Sequence, residues 1–276
     1  MQFRIPAAWL LVCLVVPGFL RAHGDVDEHI AALTEQIRQD RGNPQLYLQR
    51  GELHRDRHHW IAAEADYARA SRLDPDLAIV ELARARMLFE SGRASAALPR
   101  VDRYLTRDPG SGEARVLRAR ILAKLSRGLE AAHEFTQAIE QLPEPQPEHY
   151  IERAQALVGV GPHHRDEALR GLDEGIQKLG PLVTLELPAI DLELKRKAFD
   201  AALGRLEAIA AQSPRQETWL LRRGEILLQA GRPAEAHLAF RAALQAVESL
   251  PPSRRSALAT VELEGRVRVA LRADAH

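Results

Sequence analysis

His54 and His58 stand four residues apart, the spacing at which two imidazoles on one helix face can share a metal ion. His59 follows, and His163 and His164 form a second pair. His54 falls at a packing position and His58 and His59 in a turn, with no fixed third ligand. No metal site is therefore expected from them. His23 is a separate case. If a leader is cut after Ala22, His23 becomes the N-terminal residue, and amine and imidazole together can hold copper, with His29 the near partner. A metal-binding protein using His23 is one alternative reading. The chain has one cysteine, Cys13. It shows no phosphate loop, no nucleophile elbow and no metalloprotease helix. No catalytic residues and no cofactor are expected, and the chain is read as a non-enzyme.

The arginines carry a second pattern. Arg50, Arg84, Arg118, Arg153 and Arg223 recur at one place in a repeating frame. A guanidinium fork pairs bidentately with carboxylates, so such a row could bind acidic ligands. It could equally form a ladder within the chain, stems packed and heads wet, against acidic residues of neighbouring helices. The internal ladder is the expectation.

Pro75, Pro109 and Pro143 stand 34 residues apart. A fixed period in this range marks stacked helix pairs. In the first unit the skeleton is Tyr47, Arg50, Gly51 and His54, then Ala63, Tyr67, Ala70 and Pro75. Gly51 and Ala63 are small where two helices cross, Tyr67 fills the space between a pair and its neighbour, and Pro75 ends the second helix. These residues resemble the tetratricopeptide repeat pattern of aromatic, glycine, aromatic, alanine, aromatic, alanine and proline. The resemblance implies an all-α fold, an α-α superhelix of about six helix pairs with N- and C-terminal capping helices. The expected divisions are a capping helix at 25–42, repeats 1–3 at 43–143, a repeat-like unit at 144–181, a degenerate one at 182–214, a sixth at 215–250 and a capping helix at 251–276. The fifth unit reads as the most degraded, because Pro188 should shorten or kink its first helix. Pro99 is placed in the first turn of its helix, where proline is tolerated. The proline link at 143–147, the long turn at 159–166 and Pro188 together suggest loosening there. The last helix reads as continuous from Ser253 to Leu271.

Residues 1–22 read as a signal peptide. Arg4 precedes ten apolar residues, Ala7 to Val16, broken by Pro17 and Gly18. That run is too short to span a bilayer. Cleavage after Ala22 is favoured over Gly24, and no membrane span remains after it. The protein is then exported, periplasmic or secreted, and the preference for arginine over lysine suits a bacterial source. The chain has 38 basic and 38 acidic residues. A balanced charge without a basic block argues against nucleic acid as a partner.

In tetratricopeptide arrays the first helices line a concave groove. The resemblance places Leu48, Glu52, Leu82, Arg86, Phe89, Val116, Arg120, Leu221 and Glu225 on it, and Arg69 and Arg72 on the opposite side. The mixed apolar and charged surface suits a protein or peptide partner. The carboxylate clamp of chaperone-binding members is missing, since Leu48, Glu52, Ala83, Glu113 and Leu117 hold its positions. The leading reading is a protein–protein interaction scaffold of the bacterial envelope. A subunit of a secretion, pilus or cell-wall assembly is the other alternative.

Overall fold

A computed structural model describes residues 21–273, with side chains for residues 26–272. The apolar core of the leader lies outside the described residues, as does the His23 side chain. The described residues form fifteen α-helices and no strand. Helix α1 spans Arg21–Gln39. Six hairpins follow: α2 (Pro44–Asp56) with α3 (Trp60–Leu73), α4 (Ile79–Glu90) with α5 (Ala94–Arg107), α6 (Gly112–Lys124) with α7 (Gly128–Gln141), α8 (Pro147–Val160) with α9 (Arg165–Leu179), α10 (Val183–Lys195) with α11 (Phe199–Ala210), and α12 (Gln216–Gln229) with α13 (Pro233–Glu248). A short α14 (Pro252–Arg255) and α15 (Leu258–Ala273) close the chain. The chain divides into two compact units, 1–107 with α1 to α5 and 108–276 with α6 to α15.

Local chemistry sets the helix ends. Asn43 caps α2 by accepting from the Gln45 N–H at 3.1 Å, with Pro44 at the first helical position. Ser111 caps α6 in the same way from Ala114, at 3.3 Å. The first helices of five hairpins end alike. His58, Gly92, Ser126, Lys197 and Gly231 all have φ between 57° and 78°. The next residue in each case donates its N–H back five residues, for example Arg93 to Leu88 at 2.8 Å and Arg232 to Leu227 at 2.9 Å. This left-handed closure with a long backbone bond is a Schellman cap. In the fourth hairpin Gly161 stands at this place, and the extra turn residues form a 3₁₀ turn, Pro162–His164.

Seven residues before the turn in the first and sixth hairpins, two helices cross. Gly51 lies under the Tyr67 ring so closely that a Cβ would meet Cε1 at 2.6 Å, and Gly224 lies under Phe240 in the same manner. In the fourth hairpin the roles are exchanged. The aromatic is Tyr150 on the first helix and the glycine is Gly175 on the second, where a Cβ would meet Cγ at 2.8 Å. Tyr67, Phe135, Tyr150 and Phe240 are all fully or almost fully buried.

Three local expectations change. Pro188 does not shorten α10, which has 13 residues like α2 and α6. Only one interior hydrogen bond is given up, and Leu185, Ala189, Ile190 and Leu192 bury on either side of it. Pro99 sits at the sixth position of α5, past the first turn, and the helix continues through it on an exposed side. The last helix is broken between α14 and α15, which lets α15 pack against α13 through Leu263 and Val267. The proline link at 143–147 is tied into a capping box, with the Gln146 N–H donating to His149 Nδ1 at 3.1 Å.

Two outcomes follow from the turns and the crossings. Lys197→Gly should stabilise the chain by about 1 kcal/mol, because a side chain at positive φ carries roughly that strain; the urea midpoint should rise. Gly224→Leu should destabilise by about 1–3 kcal/mol through collision with Phe240. Hydrogen exchange should rise in α12 and α13, and an equal rise in α2 and α3 would contradict contacts that run mainly between neighbours.

Candidate protein-interaction surfaces

Each first helix carries its row residue eight places before the turn. Arg50 holds Asp66 on α3 in a fork, at 2.8 Å and 2.7 Å, and donates to Thr34 of α1 at 3.0 Å. The Asp66 hydrogen bond raises the Arg50 pKa against the opposing effect of burial. Arg118 holds Glu134 on α7 at 2.6 Å, and Arg115 reaches the same carboxylate at 3.2 Å. Arg153 holds Glu174 at 2.7 Å and the Gly171 carbonyl at 2.9 Å. Arg84 and Arg223 turn back to the preceding second helix, Arg84 to Glu64 at 3.2 Å from Nε and Arg223 to Glu207 at 2.5 Å. All five row arginines thus pair within the chain.

Arg84 and Arg223 turn back because their own second helices offer no acid at the matching place, which is Arg100 in the second hairpin and Ala239 in the sixth. Three residues after the crossing alanine stand Asp66 and Glu134 in the first and third hairpins, but Arg100 and Arg205 in the second and fifth. Here the polarity of the clasp is reversed. Arg100 donates to Glu81 on α4 at 3.1 Å, and Arg205 donates to Glu186 on α10 at 3.2 Å and to Asp173 on α9 at 2.6 Å. Asp66, Glu134, Glu186 and Glu193 are buried acids, and a buried charge persists only when paired.

A second set of pairs joins consecutive first helices. Arg55 of α2 donates to Glu90 of α4 at 2.6 Å, Arg120 of α6 to Glu152 of α8 at 2.8 Å, and Arg222 of α12 to Asp191 of α10 at 3.0 Å. Arg266 of α15 closes on Glu225 of α12. Burial works against the Arg55 charge, and the carboxylates of Glu90, Glu52 and Asp56 more than offset it.

These contacts change the expected groove. Leu82, Val116 and Leu221 are only 3%, 3% and 4% exposed. Val116 packs on Phe135 and Ala138, and Leu221 belongs to the core around Phe240. They face other helices, not solvent, because that helix position points into the seam between elements. Glu52 accepts from the Tyr67 hydroxyl at 2.7 Å and pairs with Arg55 at 3.1 Å. Arg120 and Glu225 are held by the pairs above. Leu48 and Phe89 are half-buried. Arg86 is half-buried and makes no ion pair among the described residues. A shallow pocket between α1 and α2 is lined by Leu33, Gln36, Glu52 and Leu53; it was not foreseen, since it depends on how α1 docks.

The histidines are separate from these surfaces. His54 Nδ1 is buried without a hydrogen-bond partner, and Nε2 lies 4.0 Å from Asp66. Burial lowers the His54 pKa, opposed by Asp66 and aided by Arg50 and His59. Among the described residues no group of three or more His, Cys, Asp or Glu side chains is placed to hold a metal ion.

Paired helices of near-constant length, left-handed turns 34 to 36 residues apart and small residues at each crossing define an all-α tandem-repeat protein. A sequence profile described as tetratricopeptide repeat matches residues 48–112, 82–147 and 187–251, more than half of the chain. The chain belongs to the tetratricopeptide repeat family. The profile runs through most of the fifth hairpin and omits 148–186, so the fourth, with its inserted turn and exchanged aromatic, is the more divergent in sequence. Among solved structures, a tetratricopeptide repeat protein from Parabacteroides merdae is 19% identical with a TM-score of 0.54, covering 90% of this chain and 94% of its own. Pseudomonas aeruginosa pilF is 15% identical with a TM-score of 0.52, covering 80% and 96%. MamA from Desulfovibrio magneticus is 15% identical with a TM-score of 0.51, covering 57% and 87%. At this identity the likeness is one of fold. No curated protein sequence matches the chain.

The clasps differ in depth, and substitutions should show it. Asp66→Asn should cost about 2–3 kcal/mol, since Arg50 is left without its charge partner in a nearly closed site. Glu207→Gln removes the exposed partner of Arg223 and should cost under about 1 kcal/mol. Chemical denaturation of both variants checks the order.

Proposed function

We propose that the chain is a non-enzymatic protein–protein interaction scaffold of the bacterial envelope, taking a peptide or protein segment on first-helix faces. Membership of the tetratricopeptide repeat family supports the interaction role. The observation that carries the site is on α4. Arg86 is without an ion-pair partner among the described residues, and half-buried Phe89 lies three residues on, next along the same helix face. Ile79, 38% exposed, lies two turns earlier on that helix. At the matching positions Glu52, Arg120 and Glu225 are occupied by internal pairs. A free guanidinium beside an aromatic is the kind of pair that dominates interface energy.

Export rests on the leader read in residues 1–22. No described helix is long and apolar enough to cross a membrane. Arg69 packs 5.8 Å from the Tyr47 ring and so is part of the fold. Ile61, 90% exposed, and Arg72 give the better control on α3. Arg86→Ala with Phe89→Ala should lose the main partner captured from the periplasmic fraction, with helicity unchanged. Ile61→Ala with Arg72→Ala should keep it. The reverse result would place binding on the second-helix side.

A further inference from the structure

The fourth hairpin departs from its siblings at the clasp. Where α3 has Asp66 and α7 has Glu134, α9 has Gly171, three residues after Ala168. A cavity of about 310 Å³ lies beside it, between α7, α8 and α9. Arg153 lies along it and is 6% exposed, the only buried arginine among the described residues. Its guanidinium covers Gly171 so closely that a Cβ would stand 3.0 Å from Nη2 and 3.1 Å from Nε. Nη2 donates to the Gly171 carbonyl and to Glu174. In the first hairpin Nε and Nη2 of Arg50 together grip Asp66. In the fourth, Nε and Nη1 of Arg153 have no hydrogen-bond acceptor among the described residues.

The surroundings suit an anion. Arg170 lines the cavity without a carboxylate partner among the described residues, and His133 and Thr136 of α7 add polar groups. Leu129, Ala132 and Leu157 form an apolar side that would cover a methylene stem. Two acids are present, and both are engaged. Glu174 is held by Arg153 and by Lys178 at 2.9 Å, and Glu167 lies 3.3 Å from His164. In the lining Arg153 and Arg170 balance Glu167 and Glu174, and Lys178, bonded to Glu174, adds a positive charge just outside it.

We propose that this cavity binds a carboxylate supplied by a ligand, in place of the internal Asp or Glu that the arginines of the first and third hairpins hold. One of its oxygens takes the unused Nε–H of Arg153 and the other the guanidinium of Arg170. The ligand is an acidic side chain of a partner polypeptide or a small free carboxylate. The site is formed by α7, α8 and α9 and does not rest on the reading given for α4.

The test titrates the full chain with N-acetylglutamate amide and with a short peptide carrying one central glutamate. The glutamine counterparts of both serve as controls. The Arg153 Nε–H and Gly171 N–H signals are followed by nuclear magnetic resonance. The glutamate probes should shift both signals saturably and the glutamine probes should not. A response to the peptide alone assigns the carboxylate to a polypeptide, and a response to both admits a small ligand. Arg170→Gln should weaken binding by about tenfold or more, the scale of one lost charge-assisted contact. Gly171→Asp crowds the guanidinium, which stands 3.0 Å from the Cβ position, and puts a carboxylate of the chain's own beside it, so it should abolish binding. If that variant does not fold, the exposed Arg170→Gln decides alone. Equal shifts with glutamine probes, or unchanged binding in Arg170→Gln, overturn the proposal.

Discussion

Two helices can lie close together only where one of them gives up side-chain volume to the other. Gly51 under Tyr67, Gly224 under Phe240 and Gly175 under Tyr150 are the places where this chain does so. Each contact fixes how near and at what point a hairpin's helices meet. The buried rows on either side follow from that choice, with Ala63, Ala70 and Val80 in the first unit and Ala131, Ala138 and Leu172 in the second. Packing without voids then makes every other core position sensitive to volume. The fourth hairpin shows that the contact matters more than which helix of the pair supplies the ring.

Charge is layered onto this packing. The clasps are not a uniform row, because the arginine stands on the first helix in some hairpins and on the second in others. Buried ion pairs are weak sources of stability, but a mismatched one is costly. The alternation therefore specifies which helix face meets which. Arg205, gripping Glu186 and Asp173 together, ties its hairpin to the one before it as well as to itself. The pairs between consecutive first helices do the same on the other side, and they use residues that would otherwise be open to a ligand.

Much of this was legible in the sequence. The 34-residue spacing of Pro75, Pro109 and Pro143, with Gly51 and Tyr67 in frame, is a local signal that places helices, turns and crossings. Position-specific exposure was less legible. Leu82, Val116 and Leu221 occupy a helix position at the edge between the seam and the open face, and sequence cannot say on which side of that edge they fall. Arg120 and Glu225 read as surface charges because their partners, Glu152 and Arg266, lie 32 and 41 residues away. The Gly171 cavity was invisible for the opposite reason. Arg153 settles over a position that has no side chain, and only comparison with Asp66 and Glu134 in register reveals it.

The turn residue also governs where the chain can change length. From Arg50 to His58, Arg153 to Gly161, Ala189 to Lys197 and Arg223 to Gly231, the count back from the turn is the same in all hairpins. The extra residues of the fourth hairpin fall after Gly161, as Pro162–His164. The first helix behaves as a ruler read from its C-terminal end, and the slack lies outside it, in the turn after Gly161 and in the proline link before α8. An epitope or reporter spliced in behind Gly161 would extend a loop that already varies. The same insertion ahead of it would rotate every clasp and crossing of that helix out of register.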